Sequence, residues 1–266
     1  MTDARHHRQR ILAEVGESGQ QRLERAAVAI VGVGGLGSPV ALYLAAAGVG
    51  RLGLIDDQQV ERSNLNRQVI YEEADIGRSK VEAAAGRLLR LDAGLRIDAR
   101  RENVRASNVA ELFAEYDVVV DGTDAFETKF LLNDAAVLLR KPLVHGAVLR
   151  WGGQVTTVLP DAPCLRCLFR EPPEPGDVQT CEEAGIIGAA TGVVGSVQAE
   201  EVVKVLLGGV GTPLSGRILQ HDGLLGETRT TTFPRDPDCP VCSSRARIRD
   251  LARYEEQVSP RGHILV

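Results

Sequence analysis

The sequence predicts an α/β protein with a mostly parallel β-sheet and helices on both faces. In the first half of the 266-residue chain, short apolar runs rich in β-branched residues alternate with amphipathic helical patterns. A glycine-rich turn, "GVGGLG" at 32–37, joins the first apolar run to the first helical pattern. Because a helix between two strands carries the chain back across the sheet, this alternation indicates parallel pairing.

The predicted elements of the first half follow one another closely. Buried strands are predicted at 26–33, 51–57, 116–124 and 141–148, and helices at 38–49, 77–94 and 127–140. Ser38 and Pro39 suit the N-cap and the first position of the first helix. Gly94 suits the end of the second helix.

The second half of the chain has a different pattern. A strand is predicted at 152–160, a long Pro-rich loop at 169–185, a helix at 191–209 and a β-hairpin at 216–233. No shift in composition marks a domain boundary. We therefore expect one continuous domain over residues 1–242, with a helical N-terminal segment, and a charged tail over residues 243–266.

The composition argues against nucleic acid and membranes as partners. The formal net charge is −5, the isoelectric point is about 5.6 and aromatic residues make up 4%. An acidic balance argues against a general affinity for nucleic acid or anionic membranes, which are usually bound by a basic face, and few aromatic residues are available for base stacking. A local basic site for a phosphate group is still allowed. No secretory signal is visible, and the most apolar segment, 186–199, is shorter than the ~20 residues that span a bilayer. We expect a soluble, cytoplasmic protein.

The glycine-rich turn predicts a nucleotide site. Gly32, Gly34 and Gly37 form a GxGxxG motif between a strand and a helix, where glycine allows a tight turn and close approach of a phosphate. The start of the helix offers free N–H groups to that phosphate. Asp56 lies 19 residues after Gly37, at the end of the next strand, where a carboxylate can bind ribose hydroxyls. This order of elements indicates a Rossmann-like fold.

Four polar residues indicate that the nucleotide is a triphosphate undergoing cleavage. Asn64 and Arg67 follow within "SNLNR", Lys80 begins the next helix, and Asp124 ends a strand at the carboxyl edge of the sheet, where it can hold magnesium. Hydride transfer needs no cations around the phosphates, whereas cleavage of a triphosphate moves negative charge between its oxygens. Taken singly, each of the three charged residues also fits a solvated surface charge.

Two cysteine pairs predict a metal site. Cys164 and Cys167 form "CLRC", and Cys239 and Cys242 form "CPVC". Four thiolates in two CxxC pairs suit a structural, tetrahedral zinc ion. Because 71 residues separate the pairs, the fold must bring them together. We expect a zinc-pinned, β-rich C-terminal lobe; redox-active or free dithiols are the alternative.

The motifs together resemble those of the MoeB/ThiF/HesA family, bacterial relatives of ubiquitin-activating enzymes. "GVGGLG", "LIDDQQVERSNLNRQ", "DIGRSK", "DGTD", both cysteine pairs and "TCEEAGIIG" occur in the family's order between about Arg5 and Cys242. The resemblance implies adenylation, with magnesium-ATP, of the C-terminal Gly-Gly carboxylate of a small ubiquitin-like sulfur-carrier protein. Pyrophosphate is released, and the acyl-adenylate later becomes a thiocarboxylate. A homodimer is also implied.

The resemblance assigns roles position by position. Gly34 and Gly35 lie against ATP in the glycine turn, and Asp56 binds its ribose. The phosphates are faced by Asn64, Arg67 and Lys80, while Asp124 binds magnesium. Arg8 matches an arginine that reaches the phosphates of the partner subunit's ATP.

Two positions depart from the family pattern. Ala125 stands where an asparagine usually follows the TD pair, which removes one polar contact to the nucleotide. His6 stands where the N-terminal motif usually has a tyrosine. Neither change removes a charged group, so the predicted activity is kept.

The role of Cys181 has two interpretations. Alone, it is a single cysteine beside Glu182 and Glu183, whose charges raise the pKa of a thiol rather than lower it. In the family, a cysteine at this position can form a thioester or persulfide with the carrier. Some members dispense with it, and both readings stay open.

Three alternative functions remain at this point. An NAD-dependent dehydrogenase explains the glycine turn and Asp56 but gives Arg67, Lys80 and Asp124 no common purpose. A relative that modifies a tRNA base generally lacks the paired cysteines. A non-catalytic scaffold could bind the carrier without activating it. No rhodanese domain is recognised, so the sulfur is expected from a separate sulfurtransferase or desulfurase, and the pathway (thiamin, molybdenum cofactor or thiolated tRNA) stays open.

Overall fold

The computed structural model describes residues 4–173, 179, 181–208 and 210–254, apart from the side chains of Cys181 and Glu182. The strands in these residues are β1 Ala27–Val31, β2 Arg51–Ile55, β3 Arg96–Arg100, β4 Val118–Asp121, β5 Leu143–Leu149, β6 Gly152–Val158, β7 Arg217–Asp222 and β8 Glu227–Thr232. The α-helices are α1 His7–Arg10, α2 Gly16–Arg25, α3 Gly37–Ala46, α4 Lys80–Leu91, α5 Val109–Ala114, α6 Phe126–Leu138, α7 Leu165–Leu168, α8 Cys181–Ala184 and α9 Gly188–Leu207.

The described strands form a single sheet in the order β3-β2-β1-β4-β5-β6-β7-β8. The five strands from β3 through β2, β1 and β4 to β5 pair in parallel. Strands β5, β6, β7 and β8 pair antiparallel. The predicted α/β class is confirmed. The β-rich C-terminal part is the antiparallel half of the same sheet. The strand order changes direction between β1 and β4, which is where ligands bind in open α/β sheets.

Helices cover both faces of the sheet, as predicted. Val28 and Ile30 of β1 pack in a layer with α3, α4 and α9, whereas Ala29 and Val31 pack in a layer with α5 and α6. Burial of each such aliphatic side chain contributes about 1.5–3 kcal/mol. No helix within the described residues is long and apolar enough to cross a membrane.

Several predicted boundaries shift. The helix predicted at 38–49 spans Gly37–Ala46, and the Ser38 hydroxyl donates to the Gly34 carbonyl instead of capping the helix. The predicted helix 77–94 spans only Lys80–Leu91, and its C-cap is Asp92 rather than the predicted Gly94. Strand β3 and helix α5 were not predicted, because β3 is an edge strand with no buried residue and α5 has only six residues.

Two other segments are only partly described. The predicted loop 169–185 contains the short helix α8, while residues 174–178 and 180 lie outside the described residues. After Cys242, the chain packs Ile248 and Tyr254 into the core layer beside α6. Residues 255–266 lie outside the described part of the chain.

Candidate functional site

A cleft of about 1130 Å³ lies at the carboxyl ends of the parallel strands and continues along the antiparallel half of the sheet. Its nucleotide-site candidates come from four separate segments. They are Gly34, Gly35, Asp56, Asn64, Arg67, Lys80 and Asp124, and all of them line this one cleft. The structure therefore brings together every ATP-binding candidate predicted from the sequence.

The glycine turn packs directly against the end of β4. Gly32 has φ +82°, and a Cβ there would lie 2.9 Å from the carbonyl carbon of Gly122. A Cβ on Gly37 would collide with the Gly32 carbonyl oxygen. Gly34 faces open space, since its Cβ would meet only the Gln68 amide, at 3.6 Å. Glycine thus closes the turn on one side and leaves room for a ligand on the other.

Asp56 and Tyr71 fix the conformation of this turn. Asp56 accepts hydrogen bonds from the backbone N–H of Val33 (2.9 Å) and of Gln58 (2.9 Å). The Tyr71 hydroxyl donates to the Val33 carbonyl at 2.8 Å, and burial raises the pKa of this phenol. The sequence analysis missed Tyr71, which lies 38 residues from its partner.

Arg67 and Lys80 bring two cations to the cleft, and neither forms an ion pair with a described residue. The Arg67 guanidinium donates to the Ser63 carbonyl (2.9 Å) and the Asn66 side-chain oxygen (3.0 Å). Lys80 is 4% exposed, and its ammonium donates to Gln58 Oε1 at 2.7 Å. Since both cations face neutral groups, they are available to an anionic ligand.

Asn64 organises the backbone between Asp56 and Arg67. It is 7% exposed, and its side-chain oxygen accepts the N–H of Glu61 at 3.1 Å in a capping box. Its amide lies 3.5 Å from the Ser63 hydroxyl, at the limit of a hydrogen bond. The amide nitrogen is therefore the atom of Asn64 that a ligand can engage.

Asp124 lies exposed where the turn after β4 enters the cleft. None of the described side chains or backbone groups donates a hydrogen bond to its carboxylate. Magnesium is usually held by one or two carboxylates together with substrate phosphates and water. A carboxylate that accepts no hydrogen bond from the described residues and shares a cleft with Arg67 and Lys80 fits that arrangement, and it would help to hold the phosphates of a bound nucleotide.

Asp121, three residues earlier, lies in a buried charge cluster that sequence analysis missed. Its carboxylate accepts hydrogen bonds from Lys129 Nζ (3.2 and 3.3 Å), His145 Nδ1 (2.7 Å), and the N–H and hydroxyl of Thr123 (3.0 and 2.7 Å). Burial opposes ionisation, but the charge of Lys129 and the His145 hydrogen bond hold the pKa of Asp121 well below its usual range. Burial lowers the pKa of His145, which favours the neutral ring.

Of three further positions from the sequence analysis, Arg8 lies away from the cleft and Ala125 lines it. Arg8 is exposed on α1 and is not among the residues that line the cleft. Cys181 begins α8, and its side chain is outside the described part of the chain, although Gln179 and Glu183 on either side line the cleft. Ala125 is the N-cap residue of α6, where its methyl group makes no capping hydrogen bond.

The four cysteines of the CxxC pairs converge as predicted. Their sulfur atoms all lie within 4.8 Å of one another. Cys164 and Cys239 are 3.6 Å apart, and Cys167 and Cys242 are 3.4 Å apart, so these thiols are free rather than disulfide-bonded. Four sulfurs around a tetrahedral zinc at ~2.3 Å would be separated by ~3.8 Å. The cluster therefore has the size and the ligand chemistry that zinc requires.

A buried ion pair holds the first cysteine pair on α6. Arg166, which lies between Cys164 and Cys167, is fully buried, and its Nε donates to Asp134 at 2.8 and 3.1 Å. Tyr254 bridges the pair by donating to Asp134 (2.7 Å) and accepting from Arg166 (3.1 Å). The segment after the second cysteine pair is thus joined to the first pair and to α6.

Together, the fold and the cleft are those of a nucleotide-binding α/β protein. Residues 6–241 match the ThiF family. A "Sulfur carrier protein adenylyltransferase" of Thermus thermophilus is 48% identical over 94% of this chain and 94% of its own. A "SAMP-activating enzyme E1" of Haloferax volcanii is 47% identical over 90% and 88%, respectively.

Two further similar proteins are longer than this chain. The "Adenylyltransferase and sulfurtransferase MOCS3" of Drosophila willistoni is 47% identical over 95% of this chain, which spans 56% of that longer protein. The crystal structure of E. coli MccB with MccA-N7isoASN superposes with a TM-score of 0.77 at 23% identity, over 85% of this chain and 69% of that one. The chain belongs to the ThiF family. Its enzyme class is that of an adenylyltransferase.

Proposed function

We propose that this chain adenylates the C-terminal Gly-Gly carboxylate of a small ubiquitin-like sulfur-carrier protein, using magnesium-ATP and releasing pyrophosphate. The acyl-adenylate would then be converted to a thiocarboxylate with sulfur from a separate sulfurtransferase or desulfurase. One observation carries the proposal: Arg67 and Lys80, without ion-pair partners among the described residues, share a cleft with the glycine turn and the unengaged carboxylate of Asp124.

The charge distribution suits attack on a triphosphate by a carboxylate. The two reactants repel each other, and negative charge accumulates on the pyrophosphate as the α-phosphate bond breaks. Arg67 and Lys80 would offset that charge, and Asp124 would hold a magnesium ion that neutralises further charge on the phosphates. The carrier's own carboxylate is the nucleophile, so this step needs no nucleophile from the protein. Removal of one such stabilising group typically costs a factor of about 10²–10³ in rate.

The shape of the cleft supports a substrate with a thin, extended tail. Beyond the nucleotide residues, its lining continues to Gly152, Gly153 and Gln154 of β6 and to Gln220 of β7. The two glutamine amides can bind the backbone of an extended peptide. The names of the Thermus and Haloferax relatives agree with a carrier protein as the substrate.

A dehydrogenase and a non-catalytic scaffold explain the site less well. Hydride transfer gives no use for two cations and a carboxylate at the phosphate end of the cleft. A scaffold that binds only the carrier would not need the intact set of Asp56, Arg67, Lys80 and Asp124. Ala125 removes one polar contact, but it leaves all the charged groups in place.

We also propose that the active form is a homodimer with shared sites. Arg8 is exposed on α1 and does not line the cleft of its own chain, so a role at the phosphates requires a second copy. Large apolar side chains are exposed near this end of the chain and on α3, namely Ile11 (62%), Leu12 (51%) and Tyr43 (58%). Their burial between two copies would stabilise such a dimer.

Intact-mass spectrometry of the carrier tests the reaction. The chain is incubated with magnesium-ATP, inorganic pyrophosphatase and each small Gly-Gly-ending protein of the source genome. The matched control is the same carrier without its last glycine. We expect one adenylyl group on a native carrier and none on the shortened form. Reduction of NAD without adenylation, or adenylation of both carrier forms, would contradict the proposal.

A further inference from the structure

The lysine beneath the Asp121–Asp124 turn is costly in its position. Lys129 is 4% exposed and lies in the first turn of α6, where the positive end of the helix dipole disfavours a cation. Burial of an ammonium group costs several kcal/mol unless its hydrogen bonds are satisfied. Because this position is unfavourable for a lysine on both counts, its role is best sought in the groups that the Lys129 ammonium contacts.

Those contacts converge on the turn that carries Asp124. Lys129 Nζ donates to the Thr123 carbonyl (2.7 Å), the Gly146 carbonyl (2.7 Å) and both oxygens of Asp121 (3.2 and 3.3 Å). Its donors are therefore fully used within the protein. Although Lys129 lines the cleft, no N–H remains for a phosphate, so it differs from Lys80 in function.

The same turn is confined from the other side. A Cβ on Gly122 would lie 2.5 Å from the Gly32 carbonyl oxygen, so the turn packs on the glycine turn without space between them. Asp121 binds both the N–H and the hydroxyl of Thr123. Asp124, the next residue, is the first in this segment whose side chain is exposed to the cleft.

We infer that Lys129, acting with Asp121, is a positioning residue that orients the Asp124 carboxylate toward the magnesium ion of the bound nucleotide. This inference rests on the proposed function, since it requires magnesium-ATP in the cleft. Without the Lys129 ammonium, Asp121 loses its buried counter-charge and Thr123 loses the donor to its carbonyl. The turn then holds Asp124 less firmly, and magnesium is bound less well.

Calorimetric titration with ATP, in excess magnesium and in EDTA, tests the inference without a carrier. We expect wild type to bind ATP more tightly with magnesium, and Asp124→Ala to lose that gain. Lys129→Met should reduce the gain about tenfold while the affinity in EDTA stays close to wild type, because a small displacement of a positioned group has large effects. Lys129→Arg, which keeps the charge, should restore most of it.

Matched controls separate positioning from stability. Glu201 lies outside the cleft, and its buried carboxylate accepts hydrogen bonds from the Thr157 hydroxyl and the Leu214 N–H. Glu201→Gln should therefore lower the unfolding temperature but keep the gain in ATP affinity that magnesium gives. Should Lys129→Met fail to fold, Thr123→Val removes only the hydroxyl bond to Asp121 and should reduce the gain in part. A full gain in Lys129→Met, or in Thr123→Val if that variant replaces it, would overturn the inference. No gain in wild type would overturn the magnesium assignment and this inference with it.

Discussion

Asp56 and Tyr71 hold the two backbone hydrogen-bonding groups of a single residue, Val33, in the glycine turn. The carboxylate accepts the Val33 N–H at 2.9 Å, and the phenol donates to the Val33 carbonyl at 2.8 Å. The segment from Asp56 to Tyr71 therefore supplies the carboxylate that is predicted to bind ribose and also fixes the conformation of the glycine turn. A nucleotide that binds Asp56 meets a turn whose shape is already set.

Tyr71→Phe is expected to weaken both folding and ATP binding. Val33 is fully buried, and its carbonyl would lose its donor, which costs about 1–3 kcal/mol. The turn would loosen, so the dissociation constant for ATP should rise. Urea unfolding and calorimetry measure the two effects. Tyr116→Phe, which loses a hydroxyl bond to Asp98 away from the cleft, is the control and should lower stability without changing the ATP dissociation constant; an equal loss of ATP affinity in the two variants would contradict the role given to Tyr71.

Removal of metal is expected to destabilise the chain. We predict about one zinc per chain by elemental analysis, and a large drop in unfolding temperature after chelation, because a structural zinc contributes folding free energy directly. Cys164→Ser should lose the metal. Cys181→Ser, outside the four-cysteine cluster, should keep it. A chain that is free of zinc yet unfolds at the same temperature would contradict a structural metal.

Mixed dimers test whether Arg8 acts across subunits. Arg8→Ala and Asp124→Ala should each be nearly inactive alone. When the two variants are unfolded and refolded together, a hybrid dimer has one cleft with an intact Asp124 and an intact Arg8 from the other chain, so adenylation activity should return in part. The matched control is wild type refolded with the double variant, whose hybrids have no intact site if Arg8 acts in trans. No recovery in the first mixture would contradict the shared site.

Acid is expected to destabilise the chain through His145. Burial lowers the pKa of this histidine in the folded state below its ordinary value of 6.5. As the pH falls below about 6.5, the unfolded chain binds a proton that the folded chain does not, so stability decreases. Asp121 has a lowered pKa; its contribution is present in full above about pH 4 and is lost as the pH falls further.

Unfolding free energies at about pH 7 and about pH 5 measure this effect. His145→Gln cannot titrate and should show a smaller loss of stability between the two pH values than wild type. His221→Gln, on the exposed hairpin, is the control and should keep the wild-type loss. Identical losses in wild type and His145→Gln would exclude His145 as the source.

The sequence predicted those parts of the fold and the site that have local patterns. Buried strands such as β1 and β4 are continuous apolar runs, and the glycine turn has a fixed spacing to Asp56. Arg67, Lys80 and Asp124 follow strand ends or begin helices, so the parallel sheet was enough to predict that they meet. The cysteine pairs carried their own spacing, and their convergence is confirmed.

Other residues could not be found in this way because their partners are distant in sequence. Lys129 and His145 gain their roles only when β4, β5 and α6 come together around Asp121. Tyr254 is 120 residues from Asp134 and lies in a segment that reads as a charged tail. Strand β3 has polar residues on both faces because it is the edge of the sheet, so it lacked the apolar pattern that identified the other strands.

The central claim is that this cleft binds ATP and stabilises the charge that develops when a carboxylate attacks it. ATP–pyrophosphate exchange in the presence of the carrier tests this claim most directly. We predict exchange that depends on a carrier ending in Gly-Gly, and that falls by about 10²-fold or more in Asp124→Asn and in Arg67→Ala. Exchange that continues at the wild-type rate in both variants, or that is absent with every Gly-Gly carrier of the source genome, would contradict the claim.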